Sequence, residues 1–157
     1  MFTLDTNAPE VIAALQRQFE QLDTELPDIL GDSVDMGLDL IRDRVRNRGV
    51  GAEGQVLQTK SRQRIGAYSA GYAKRRTERG KSTDRVDLTD TGAMLDDLRR
   101  LSVGGDTAEG GFGSSTQADK AEYLEAYYGP VVSLSDSEEG TIVAYAEERV
   151  DKIIKQD

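Results

Sequence analysis

The chain has neither cysteine nor histidine among its 157 residues. Without cysteine there is no disulfide, no thiolate nucleophile and no zinc site with a sulfur ligand. Without histidine the commonest general base and the commonest metal ligand are gone, and with them hydrolysis by a Ser-His or Cys-His pair. Apolar residues are scarce as well, at 37% of the chain with only 3 Phe and 6 Tyr, against the usual ~45–50% counted with glycine. The length fits a single domain, residues 1–157, burying roughly 68–70% of its unfolded surface. So thin a core is expected to draw part of its stability from neighbouring subunits, because binding to the native state stabilises it by mass action. No apolar run approaches the ~18 residues of a membrane span, and no basic stretch leads into an apolar one as in a signal peptide. The expectation is synthesis and assembly in the cytoplasm, with no membrane partner.

Charge is present in quantity and unevenly placed. Residues 42–85 carry 13 Lys and Arg against 4 Asp and Glu, a net of +9, inside a chain whose total is −9. Residues 1–41 carry 1 basic and 9 acidic side chains, and residues 86–157 carry 6 and 16. A positive band between two negative flanks suits surfaces that meet complementary ones.

Periodicity predicts a helix-dominated α+β fold with two N-terminal helices, a long basic loop, a small antiparallel sheet and a C-terminal helix. Asn7 and Glu10 have the spacing of a capping box, and Val11, Ile12, Leu15, Phe19 and Leu22 form one apolar stripe on a peripheral helix ending by residue 25. Leu26-Pro27 is expected to break it, since proline disfavours helical backbone in the residue before it. A second helix, about 28–46, carries Leu30, Val34, Leu38, Ile41 and Val45 on one face, with aspartates early and arginines late to suit the helix dipole. Residues 49–86 are expected to be an extended basic loop with at most short structure. A short helix opening at Leu88-Thr89 has Thr89 or Thr91 as its N-cap and Met94, Leu95 and Leu98 as anchors. Segments 101–103 and 111–114 predict a glycine-linked hairpin, 116–128 a helix presenting Tyr123, Leu124 and Tyr127 together, and 131–134 a short strand. Ser135 with Glu138 predicts another capping box for a last helix whose stripe is Ile142, Val143, Ala146, Val150, Ile153 and Ile154.

Several short motifs suggest chemistry and lack the context for it. Gly49-Val50-Gly51-Ala52-Glu53-Gly54 matches a dinucleotide fingerprint, but a charged helix precedes it where a strand is needed, so it reads as a turn. Gly80-Lys81-Ser82 resembles the end of a phosphate loop whose first glycine would fall on Arg75. Asp90-Thr91-Gly92-Ala93 resembles the active-site turn of retroviral-type aspartic proteases, which pair two aspartates; a helix start with Asp90 and Thr91 near its cap accounts for the same residues. Asp87, Asp90, Asp96 and Asp97 could bind magnesium in principle, and they read instead as capping or solvent-facing. No cofactor is called for.

Three segments taken in order carry a resemblance. They are Gly51 and Gly54 of a glycine-rich turn, then Tyr68-Ser69 and Tyr72-Ala73 before Arg75-Arg76, then Leu88-Thr89, Thr91-Gly92 and Met94-Leu95. With Gly129, Leu134-Ser135 and the closing helix, the set resembles a family of tailed-bacteriophage morphogenesis proteins, variously tail-completion, neck or head–tail joining proteins. The similarity covers roughly residues 30–157, with the segment 55–66 as an insert. It implies a non-enzymatic virion component: a homo-oligomeric ring, hexameric in similar systems, completing the tail beneath the portal. The implied partners are other copies, head adaptor or stopper proteins and the tail tube protein, with DNA passing through the channel unbound.

On this reading Tyr68, Tyr72, Lys74, Arg75, Arg76 and Arg79 are candidates for a subunit interface, with Arg75 or Arg76 pairing a neighbour's carboxylates. Leu88, Thr91, Gly92, Met94 and Leu95 form a packing motif set against Val34, Leu38, Ile41 and Val45. The alternative is a small nucleic-acid-binding protein using the basic segment 60–85 with Tyr68 and Tyr72, opposed by the overall negative charge.

Overall fold

The computed structural model describes residues 7–155. Its frame is one long helix, α1 (Ala8–Asp43), about 54 Å at 1.5 Å per residue, running on into a π-helical turn at Arg44–Arg48. Gly49 ends that turn in the left-handed region, φ +63°, a conformation open to glycine at no steric cost. The two predicted N-terminal helices are therefore a single helix, with Pro27 inside it. Proline removes one ladder bond, and here the flanking turns are held by packing: Ile29 and Ser33 are buried, and Leu22, Leu26 and Leu30 are half-buried. The predicted capping box at Asn7 does not form, because the Asn7 side chain makes no capping bond. The part of the peripheral N-terminal segment before Asn7 lies outside the described residues.

The last helix, α5 (Asp136–Ile154), lies antiparallel along α1. Tyr145 and Arg149 reach Asp32, and Gln18 donates to the Ile154 carbonyl at 2.9 Å. The two helices come close at Gly37, where a Cβ would meet Ile142 Cδ1 at 3.0 Å. The capping box of α5 forms as the sequence predicts: Ser135 Oγ accepts from the Glu138 amide, and the Glu138 carboxylate accepts from the Ser135 amide.

Against another side of α1 lies a two-stranded antiparallel hairpin, β3 (Leu98–Val103) and β4 (Ala108–Phe112), longer than predicted. Leu98 faces Phe112 and Arg100 faces Gly110, with the register slipping by one residue between Arg100 and Ser102. Gly110 lets the hairpin approach α1, since a Cβ there would stand 2.8 Å from Val34. α4 (Ser115–Tyr128) follows, burying Ala121 and half-burying Leu124 and Tyr128; Tyr123 is exposed, on the side that also carries Leu124 and Tyr127, as the sequence predicts.

No strand forms at 131–134. The backbone there bonds to side chains in place of a ladder: the Val131 and Val132 amides donate to Glu125, and the Val131 and Ser133 carbonyls accept from Arg44. The segment 49–86 is more structured than a loop. It holds a bridge between Val50 and Val56, a small hairpin β1 (Arg64–Ile65) and β2 (Tyr68–Ser69), and α2 (Ala70–Glu78). Its buried residues, among them Leu57, Tyr68, Ala73 and Val86, join Leu38, Ile41, Val45, Leu95 and Leu98 in one core.

Candidate interface: the tyrosine and arginine cluster

Ser69 stands at the N-cap position of α2, which turns Ala73 and Arg76 inward at i, i+3 spacing. Arg76 is almost wholly buried. Its guanidinium donates to Asp87 Oδ2 at 2.7 Å and to the Ser82 carbonyl at 2.9 Å, and stands 4.5 Å from the centre of the Tyr68 ring. The Tyr68 hydroxyl, at 3.3 Å, also faces Asp87, and Asp87 Oδ1 accepts from the Thr89 amide at 2.9 Å. Burial pushes the Asp87 carboxyl up, but the Thr89 bonds and the Arg76 charge outweigh it and hold it below the ordinary carboxylate value. Burial pushes the Tyr68 hydroxyl well above the ordinary tyrosine range. Buried charge is tolerated only where it is paired and hydrogen-bonded, and each polar group here has such a partner. The cluster straps residues 81–89 onto α2.

That strap redistributes the predicted interface residues. Tyr68 and Arg76 are buried within their own chain, and the carboxylate that Arg76 meets is its own Asp87, not a neighbour's. Arg79 pairs with Asp90 at 3.0 Å on the surface. Lys74 and Arg75 are exposed and Tyr72 is half-buried, with Arg75 standing 5.4 Å from the Tyr72 ring centre. Lys81 donates to the Thr89 carbonyl at 2.8 Å and also to that of Asp90, so the residue of the phosphate-loop look-alike is engaged with backbone.

The packing motif comes together largely as predicted. Met94 and Leu95 are buried and Leu88 half-buried, all in the core that holds Val34, Leu38, Ile41 and Val45. The helix they anchor is shorter, α3 (Ala93–Asp96), and begins after Gly92 at φ +80° in place of a threonine cap; Thr91 is exposed, its hydroxyl 3.4 Å from the Ala93 amide. Leu88 holds φ +51°, a conformation costly for a non-glycine residue and kept only where the surroundings over-determine it. The four aspartates weighed as magnesium ligands are engaged separately: Asp87 with Arg76, Asp90 with Arg79, Asp96 with Arg46, and Asp97 with Ser114. The glycine motif at 49–54 is a turn, and Gly51 lies close under the Pro130 carbonyl.

Sequence reasoning missed a second buried ion pair, between Arg44 and Glu138. Arg44 also donates to the Val131 and Ser133 carbonyls at 2.6 and 2.8 Å, tying the π-helical turn to the start of α5. The capping box flagged Glu138, but nothing local to Arg44 distinguished it from Arg42, Arg46 or Arg48. Also missed was a cavity of about 390 Å³ between α2, α4 and residues 86–94, onto which five of the 6 tyrosines face: Tyr68, Tyr72, Tyr123, Tyr127 and Tyr128. Comparison of the chain with protein-family models, with curated proteins and with solved structures finds no match.

Proposed function

We propose that the chain is a non-enzymatic structural component of a tailed-phage neck, one copy in a ring that completes the tail and joins it to the head around the DNA channel. The observation that carries this reading is the outer half of α1, where Val11, Ile12, Leu15 and Phe19 share one face and are each about half exposed or more. An apolar stripe of that kind on an amphipathic helix is normally buried against a partner, and a ring supplies neighbours to cover it. Each subunit of a ring needs two unlike faces, and the separation of a basic band from acidic flanks supplies candidates. Of the segment that carries the resemblance, Met94 and Leu95 pack in the core that joins the hairpin and α4 to α1, which supports a structural role.

In this role the partners are other copies of the chain, a head adaptor or stopper protein near the portal, and the tail tube protein, and the place of action is the virion neck. Native mass spectrometry and particle averaging of the purified protein test it. The expected result is a discrete ring. A protein that stays monomeric at every attainable concentration would sink the reading.

A further inference from the structure

The cavity between α2, α4 and residues 86–94 has a composition unlike the rest of this aromatic-poor chain. Tyr123 is 75% exposed, and Tyr72 and Tyr127 are half-buried beside it. Tyr127 is fixed by its hydroxyl, which accepts from the Lys60 amide at 2.7 Å and lies 3.2 Å from Thr59 Oγ1. Buried Val86 and Met94 close the inner end. The single carboxylate on the lining among the described residues, Asp90, is paired with Arg79.

Three cations without carboxylate partners among the described residues flank this aromatic wall: Lys120 on its lining, and Lys60 and Arg75 against the Tyr127 and Tyr72 rings. Lys60 stands 5.0 Å from the Tyr127 ring centre and Arg75 5.4 Å from that of Tyr72. They rest against rings, an attraction weak enough at exposed sites for a phosphate to recruit them. The volume of about 390 Å³ falls in the range of ~300–1,000 Å³ typical of small-ligand sites.

We infer that this tyrosine-walled groove binds a nucleotide unit, its base stacked against Tyr123 and its neighbours and its phosphate held by Lys60, Arg75 and Lys120. Exposed rings within a cationic groove are the combination by which proteins hold single-stranded nucleic acid without reading its sequence, because every base presents a π-face. The site overlaps the basic run at 60–85, which supplies Tyr68, Tyr72 and Arg76 to the lining, and adds to it a platform on α4. A free nucleotide and a nucleotide within a strand offer the same chemistry. The inference stands apart from the ring, since a ring that binds no nucleotide leaves the assembly intact, and a monomer that binds one leaves the groove intact.

Fluorescence anisotropy of the full chain with a short labelled oligothymidylate, at low salt where phosphate contacts are strong, tests it. Binding is expected, and Tyr123→Ala should weaken it at least about fivefold, the lower end of base–ring stacking. Tyr123→Phe should bind as the native protein does, because the ring and not the hydroxyl carries the contact. The side chain is exposed, so its loss leaves the fold standing. Replacing Lys60 and Lys120 together by alanine should flatten the salt dependence. Unlabelled thymidine monophosphate competing as well as the oligomer identifies a free nucleotide, and an oligomer bound tenfold more tightly identifies a strand. The inference fails if neither probe binds, if Tyr123→Ala binds unchanged, or if duplex DNA or polyglutamate displaces the oligomer equally well.

Discussion

The two halves of α1 carry the same apolar spacing and meet opposite fates. In the inner half Ile41 is 4% exposed, walled in by the core that β3, α3 and the 49–86 segment build against it; in the outer half Leu15 is 47% exposed. α5 accompanies α1 as far as Gln18, where the Ile154 carbonyl meets it, and the hairpin packs farther along, around Val34 and Leu38. Among the described residues nothing covers Val11 to Phe19 beyond that point. Helical periodicity thus identifies which face seeks cover, and the presence of cover is a separate, tertiary fact.

That contrast can be broken from the inside outward. The largest loss is expected where the π-helical turn after α1 meets α5 through charge: Arg44→Ala leaves the buried Glu138 with only Arg48, at 4.0 Å, and should cost ~3–5 kcal/mol, read from urea midpoints. A loss under about 1 kcal/mol would show that solvent reaches Glu138. Next is Ile41→Ala, which opens a cavity in the covered half and should cost ~2–5 kcal/mol by the same measurement. The smallest effect belongs to Leu15→Ala in the uncovered half, within about 0.5 kcal/mol for the isolated subunit. The same substitution should raise the concentration at which rings form. A large loss in the isolated subunit would mean that the stripe is already covered within the chain.

What could be read from residues alone was what is local. Ser135 and Glu138 stand three apart and satisfy one another's amides, so the start of α5 was legible. Gly129 ended α4 and the apolar anchors Met94 and Leu95 went to the core for similar reasons. α2 was not legible because its inward residues are Ala73 and Arg76, which form no apolar stripe. The supposed strand at 131–134 reads as one by its valines, yet its backbone partners are side chains, Glu125 on the preceding helix and Arg44 far away in sequence. The tyrosine groove escaped for the same reason: Tyr68 and Tyr72 sit in one segment, Tyr123, Tyr127 and Tyr128 in another, and only the fold sets them around one space.

Pro27 has a dynamic consequence. It lacks an amide hydrogen, so the ladder of α1 misses the bond to the Asp23 carbonyl, one turn before it. Turns on either side then need not open together. The inner turns, locked by the core, are expected to exchange their amide hydrogens only in global openings, and the turns before Gln18, with little buried, through local fraying, a contrast that hydrogen exchange reads directly. A single helix in shape, α1 is expected to behave as two cooperative units in time, the outer one ordering or loosening as its stripe gains or loses a neighbour while the fold it grows from stands.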